Sequence, residues 1–385
     1  MKELNLFCFI CNIAVIVLCG ALLPIIPKIT RKSYLFGVKI PPSEQNCPEA
    51  VQMKRRYTAV CLIGTAFLLG LCTAQYLLYP GATLLTMMYF PFLVIPLQAA
   101  AFLPNWRKAV RLKEEKRWKV SNASFAETGS SYTRGTLKEM PWGWYLAGLA
   151  VILVSVAVAL ARYQSLPDII PIHFDIHMVA DGWGEKSLGL ALAIPLVNVG
   201  MVALMWLCGA AFVKAKLQID PLNPALSFAQ HKLYRRRVGH CLGGLTIAMV
   251  ITFLVIGLML LWPETIGNAL FWVLVFAPTI AATAVLVAVT LGAGQGGCKL
   301  KPKTVPQTAS AAEPTLTEGR GDDKFWALGM FYYNPDNPAH LVEDRFGGNL
   351  GFNYARLRVK IGVALSLLAL VGSYAWLTVW LISVI

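Results

Sequence analysis

The chain carries little charge and almost none of it where a coupled membrane carrier would use it. Only 14% of its 385 residues are Asp, Glu, Lys or Arg, against about a quarter in soluble domains. All 20 acids lie outside the long apolar runs, and the one base within a run is Arg162, near an end from which it can snorkel to water. Proton- and ion-coupled carriers generally keep an ionisable group inside the membrane, so coupled transport is disfavoured. No GxxxxGK(S/T) phosphate loop and no HExxH occur, so P-loop ATP use and zinc-peptidase chemistry lack their residues. The nine cysteines all avoid the loops assigned below to the outside, so no disulfide framework is expected.

What is present is apolar surface: 57% of the chain. It falls into eight runs, roughly 4–26, 57–79, 82–103, 143–163, 188–213, 241–262, 269–291 and 361–385. Each is about 20 residues or longer, enough to cross a hydrocarbon core of about 30 Å as a helix. The first run has one lysine before it, too long a core and no small-residue cleavage site, so it reads as a retained span.

The net charge of +14 has a distribution that argues against nucleic acid. Thirty-one of the 34 Lys and Arg lie in loops 27–56, 104–142, 214–240 and 292–360. Basic residues confined to alternate loops place those loops in the cytosol and both termini outside, and give a surface for anionic lipid. The expected fold is therefore an all-α integral membrane bundle of eight helices, with a small cytosolic module of strands and turns. The expected organisation is a seven-span region, 1–291, then a flexible linker, 292–321, the module, 322–356, and the last helix, 361–385. The basic, Trp-bearing stretch after Phe102 is expected to be a helix leaving the bilayer along its inner surface.

Two stretches break the monotony. Outside lies PDIIPIHFDIHMVADGWGEK, residues 167–186. Alternation puts Ile172, Phe174, Ile176 and Met178 on one face, and His173, Asp175 and His177 on the other. Asp181-Gly182 and Trp183-Gly184 are expected to turn the chain back to the membrane, with Trp183 at headgroup level and Lys186 opening the fifth span. His173, Asp175 and His177 are candidate metal ligands; a pH-sensing or ligand-binding face and a plain structural cap compete with that reading. Inside lies DDKFWALGMFYYNPDNPAHLVEDRFGGNLGFNYAR, residues 322–356. It has too many aromatics for a spacer, and its Asn-Pro-Asp-Asn-Pro and Gly-Gly turns imply two or three short strands.

On Pro171, His173, Phe174, Asp175, Asp181, Gly182, Trp183, Gly184 and Lys186 the outer stretch resembles the bacterial domain of unknown function 1648, with Met178 where that family carries a glycine. The inner stretch resembles domain of unknown function 5808 at Trp326, Gly329, Tyr332, Asn334, Pro335, Asp336, Pro338, Arg345, Phe346, Gly347 and Asn353. The first domain also occurs in Sdp-type immunity proteins, whose Gly-x-Arg-x-Pro segment is similar to LFGVKIP (35–41), with Lys39 for Arg. The resemblance implies a non-enzymatic toxin-immunity or envelope-sensing membrane protein. Its expected partners are the lipid bilayer, an external peptide ligand and a cytosolic protein; no cofactor and no nucleic acid are expected. An uncoupled transporter or export accessory protein, lined by Asn12, Gln75, Gln98 or Asn198, is the alternative, and a metal-dependent membrane enzyme the third.

Overall fold

The structure, a computed structural model, describes residues 2–120, 123–126, 139–175, 177–215, 217, 219–220, 223–262, 268–305, 315–318, 322–345 and 350–384. Among them are eight helices long and apolar enough to cross a membrane: Lys2–Ile29, Pro48–Leu78, Pro80–Glu115, Trp142–Tyr163, Leu188–Lys214, Pro224–Leu261, Ala269–Ala293 and Leu357–Trp380. These are called the first to eighth spans.

Several helices outrun the hydrocarbon they need. The second begins at Pro48, where proline's missing N–H and fixed φ suit a first helical position. The third is interrupted by a 3-10 turn at Phe90–Leu93, where Pro91 removes a helical donor. It then runs unbroken to Glu115 through Pro104. The basic stretch after Phe102 is helical, as expected, and continuous with the third span. Its Ala109 and Leu112 are buried in a core shared with Leu35, Phe36 and Val38 of the first loop.

The chain forms two compact units. The first unit holds the first three spans and the eighth, with residues 216–224 and 309–356. Small residues let its helices approach: a Cβ on Gly20 would lie 2.2 Å from Thr65 Cγ2, and one on Gly64 would lie 2.0 Å from Leu97 Cδ1. Close approach of this kind supplies the dispersion that holds helices together in lipid. The eighth span meets the third through Tyr374, whose ring lies 6.1 Å from that of Tyr89 and 5.3 Å from that of Phe92.

The second unit holds the fourth to seventh spans. Trp144 packs where a Cβ on Gly243 would stand, and Asn198 Nδ2 donates to the Val250 carbonyl at 3.2 Å. Thr252 Oγ1 donates to the Val275 carbonyl at 2.9 Å, joining the sixth and seventh spans.

Strands appear only in the connections. β1 (Tyr34–Leu35) pairs with β2 (Val38–Lys39), and β3 (Ala123–Ala126) with β6 (Thr315–Glu318). β4 (Ile169–Phe174) pairs with β5 (Ala180–Glu185). β7 (Trp326–Ala327) pairs with β8 (Phe331–Tyr332), and β9 (Leu341–Val342) with β10 (Gly351–Phe352), all antiparallel. Of the stretch expected to be a flexible linker, 292–321, residues 306–314 and 319–321 lie outside the described residues, and 315–318 form β6.

Candidate functional site

The motif at 167–186 folds as a bulged hairpin within the second unit. Ile169, Ile170 and Pro171 pair with Glu185, Gly184 and Trp183; the register then slips twice, with His173 opposite Gly182 and Phe174 opposite Ala180. Ile172 and Asp181 are the extra residues. The slips overturn the simple alternation expected for this stretch. Ile170 is buried against Ala159, Leu166 and Leu261. Phe174 and Met178 pack on Val255, Met259, Phe271 and Val275. Ile172, expected on the packed face, is instead exposed with Ile169, Val179 and Trp183, because a bulge re-aims the side chains around it. Ile176 lies outside the described residues.

The turn is also displaced from its expected place. Asp181-Gly182 and Trp183-Gly184 lie within β5; the reversal is made by 175–179. There Asp175 Oδ1 accepts the backbone N–H groups of His177 and Val179, at 2.9 and 2.8 Å. Met178, at the position where the resembled pattern has glycine, keeps a left-handed φ of 63°. The turn survives because the Asp175 carboxylate and the packing of Met178 hold a conformation that a side chain disfavours by about 1–2 kcal/mol.

Several other motif residues have a structural task. A Cβ on Gly182 would stand 2.8 Å from His173 Cβ, and one on Gly184 would stand 3.2 Å from Ile172 Cγ2. Only glycine lets the bulged strand lie this close. His173 Nδ1 meets Asp181 Oδ1 at 2.5 Å on the exposed side. Lys186 ties the base: its Nζ donates to the Leu166 carbonyl at 2.9 Å and lies 5.3 Å from the Tyr163 ring centre. Ser187 then caps the fifth span by accepting the Leu190 N–H at 3.2 Å. The three metal candidates are not gathered: His173 pairs with Asp181, and the Asp175 carboxylate serves the turn. Among the described residues no group of three or more His, Cys, Asp and Glu is placed to hold a metal ion.

Residues 150–199 match the family profile "Domain of unknown function (DUF1648)". The match covers most of the fourth span, the hairpin and the start of the fifth span. No curated protein and no solved structure matches the chain. The chain is a multi-span membrane protein carrying this domain, and the hairpin joins the two spans that the match includes.

The polar residues of the spans stay dispersed. Asn12 is buried with neither amide atom hydrogen-bonded. Gln75 accepts from Thr86 Oγ1 and donates to the Tyr79 carbonyl, both at 2.9 Å. In the second unit, Ser155, Pro195 and Gly257 line a void of about 10 Å³, about the room of one water.

The second motif builds an interlock within the first unit. β1–β2 turns at Phe36-Gly37, with φ of 46° and 78°, and β7–β8 turns through Leu328-Gly329, with φ of 54° and 73°. The two tips abut: a Cβ on Gly37 would stand 2.3 Å from the Gly329 carbonyl oxygen, and one on Gly329 would stand 2.8 Å from Trp106 Cδ1. Arg345 is fully buried between them. Its guanidinium carbon lies 5.1 Å from the Tyr34 ring centre and 4.8 Å from that of Trp326. Its Nη1 donates to Asp323 Oδ1 at 2.5 Å and to the Gly37 carbonyl at 3.0 Å. Lys113 meets the other Asp323 oxygen at 2.6 Å, and Arg31 meets Glu343 at 2.6 Å. Burial, followed by the nearby Arg345 cation, pulls the Lys39 ammonium below the usual lysine range.

Behind the interlock, Asn334, Asn337 and Asn353 close a network around Tyr332. Both Asn334 Nδ2 and Asn337 Nδ2 donate to the Tyr332 hydroxyl, at 3.1 and 2.9 Å. Asn353 Nδ2 donates to the carbonyls of Asn334 and Asn337, at 2.9 Å each. Pro335 offers its carbonyl to Arg356 at 2.8 Å, while Asp336 is an exposed turn residue. Phe346 and Gly347 lie outside the described residues. Tyr34, Asp323 and Glu343 were not singled out from the sequence, and Gly37 only as part of LFGVKIP. A signal exists in retrospect: Phe-Gly and Leu-Gly each follow an aromatic-aliphatic pair.

Proposed function

We propose that this is a non-enzymatic protein of a bacterial cell membrane whose outer hairpin senses or intercepts a secreted antimicrobial peptide. The inner module, 322–356, contacts a cytosolic partner or braces the inner face. The observation that carries the reading is the two-sided hairpin. Its underside is held by Ile170, Phe174 and Met178, while Ile169, Ile172, Val179 and Trp183 are exposed. The stretch also bears four acids, Asp168, Asp175, Asp181 and Glu185, against one lysine. An apolar face with acidic neighbours complements a cationic amphipathic peptide. A rigid base gives such a face little ordering cost on binding.

The orientation follows the basic loops: with 27–56, 104–142, 214–240 and 292–360 in the cytosol, 164–187 and both termini lie outside. The resemblance of the inner module to domain of unknown function 5808, and of LFGVKIP (35–41) to a segment of Sdp-type immunity proteins, supports the same reading. The test uses the full chain in lipid nanodiscs with a synthetic Lys/Leu amphipathic helix as probe. Asp168→Asn, Asp181→Asn and Glu185→Gln combined should weaken binding about tenfold or more at low salt and less at high salt. Trp183→Ser should weaken it at both. Unchanged binding in both variants, or unchanged peptide sensitivity in cells lacking the protein, overturns the proposal.

A further inference from the structure

The inner module has an outward face with no task in the interlock. β8 and the strand through Asn353 lie side by side through the parallel bridge Tyr332–Asn353. Alternation then sorts the side chains. Tyr332 and Asn353 point inward and are buried, while Phe331, Tyr333, Phe352 and Tyr354 fall on the other side. Phe331 is 44%, Tyr333 48% and Phe352 40% exposed. The rings touch as a patch: Phe331 lies 5.7 Å and Phe352 6.4 Å from Tyr354, centre to centre.

The patch is joined to a membrane helix. The eighth span begins at Leu357, three residues after Tyr354. Arg356 fixes the junction through Nε to the Asn337 carbonyl at 2.9 Å and Nη2 to the Pro335 carbonyl at 2.8 Å. Lys360, in the first turn of the span, lies 5.5 Å from the Tyr333 ring centre. Arg358 and Lys360 are exposed. A rigid junction thus holds exposed rings and cations at the height where this helix enters the bilayer. Aromatic rings prefer the interfacial layer, and each Lys or Arg near an anionic leaflet contributes about 1 kcal/mol.

We propose that the face formed by Phe331, Tyr333 and Phe352 is a lipid-docking surface. It rests in the headgroup layer of the leaflet the eighth span enters, with Arg358 and Lys360 on anionic phospholipid phosphates. The occupant is lipid rather than protein, because the face is continuous with the helix entry, whose own charges, Arg356, Arg358 and Lys360, are all positive. This proposal does not depend on the function of the outer hairpin.

Photo-crosslinking in the full chain tests it. p-Benzoylphenylalanine is placed at Phe331, Tyr333, Phe352 or, as the control, at the exposed Asp336. The protein is reconstituted in phosphatidylcholine vesicles with or without phosphatidylglycerol and irradiated, and adducts are identified by mass. Phospholipid adducts at the three aromatic positions, about fivefold or more above Asp336 and enriched in phosphatidylglycerol beyond its mole fraction, are expected. Arg358→Gln with Lys360→Gln should remove the enrichment and leave the adducts. Adducts to protein, whether a second copy of this chain or another polypeptide, overturn the proposal. So does a lipid yield no higher than at Asp336, or the absence of any preference for phosphatidylglycerol.

Discussion

Single residues carry much of the hairpin's geometry. Gly182→Ala places a methyl against His173 Cβ, with only 2.8 Å between the two carbons. The strands must part, at a cost of about 1–3 kcal/mol. Hydrogen exchange of the solubilised full chain should speed up across 169–185 and leave the first unit unchanged. Lys39 offers the opposite sign. Its ammonium is buried beside Arg345 and Lys113 and its pKa is depressed, so at neutral pH the folded state bears a charge it disfavours. Lys39→Met should raise the melting temperature at pH 7. The gain should fade as pH approaches the ordinary lysine value of 10.5, where the unfolded wild-type chain also loses its proton. A gain that persists unchanged at high pH would assign the effect to packing alone. Residue types were legible here and residue directions were not. The expected alternation fails at Ile172, the first bulge, and holds at Phe174 and Met178 beyond it, because a register slip leaves no mark in composition.

At the scale of elements, the interlock makes the sharper predictions. Arg345 is stacked between Tyr34 and Trp326 and hydrogen-bonded to Asp323. Arg345→Lys keeps the charge and loses the planar stack, so it should behave almost as badly as Arg345→Ala, with a loss of about 2–4 kcal/mol. Thermal denaturation in detergent measures this; a lysine variant as stable as wild type would assign the site to charge alone. Gly37→Ala meets the Gly329 carbonyl oxygen at 2.3 Å, a backbone atom with nowhere to go. Exchange protection at 34–39 and 326–332 should fall together, since neither tip can seat without the other. Loosening of the first hairpin by itself would contradict the interlock. The helices were readable because apolar runs must match bilayer thickness. The helix after Phe102 was readable too, but not the packing of its Ala109 and Leu112 against Leu35, Phe36 and Val38 of the first loop. The interlock was hidden because its partners are distant in sequence and each strand is only two residues long.

For the whole molecule, the confinement of Lys and Arg to alternate loops predicts that 164–187 and 322–356 face opposite sides of the membrane. Orientation is tested in a chain whose nine native cysteines are replaced. An impermeant maleimide added to intact cells should mark Glu185→Cys and miss Asp336→Cys, and the reverse in inverted vesicles. Marking of both in intact cells would break the alternation on which the peptide-sensing proposal depends.

Arg31 and Glu343 are partners 312 positions apart. A ribosome adding about 5–20 residues per second needs roughly 15–60 s to travel between them. During that interval the newborn β1–β2 tip has no Arg345 to close over it, and Arg31 has no carboxylate. A polypeptide halted anywhere before Arg345 would stay in this unfinished condition, with aromatic surface and unmatched cations on view to the proteases that clear incomplete chains. The joint between the first loop and the last therefore closes only in chains translated past Arg345.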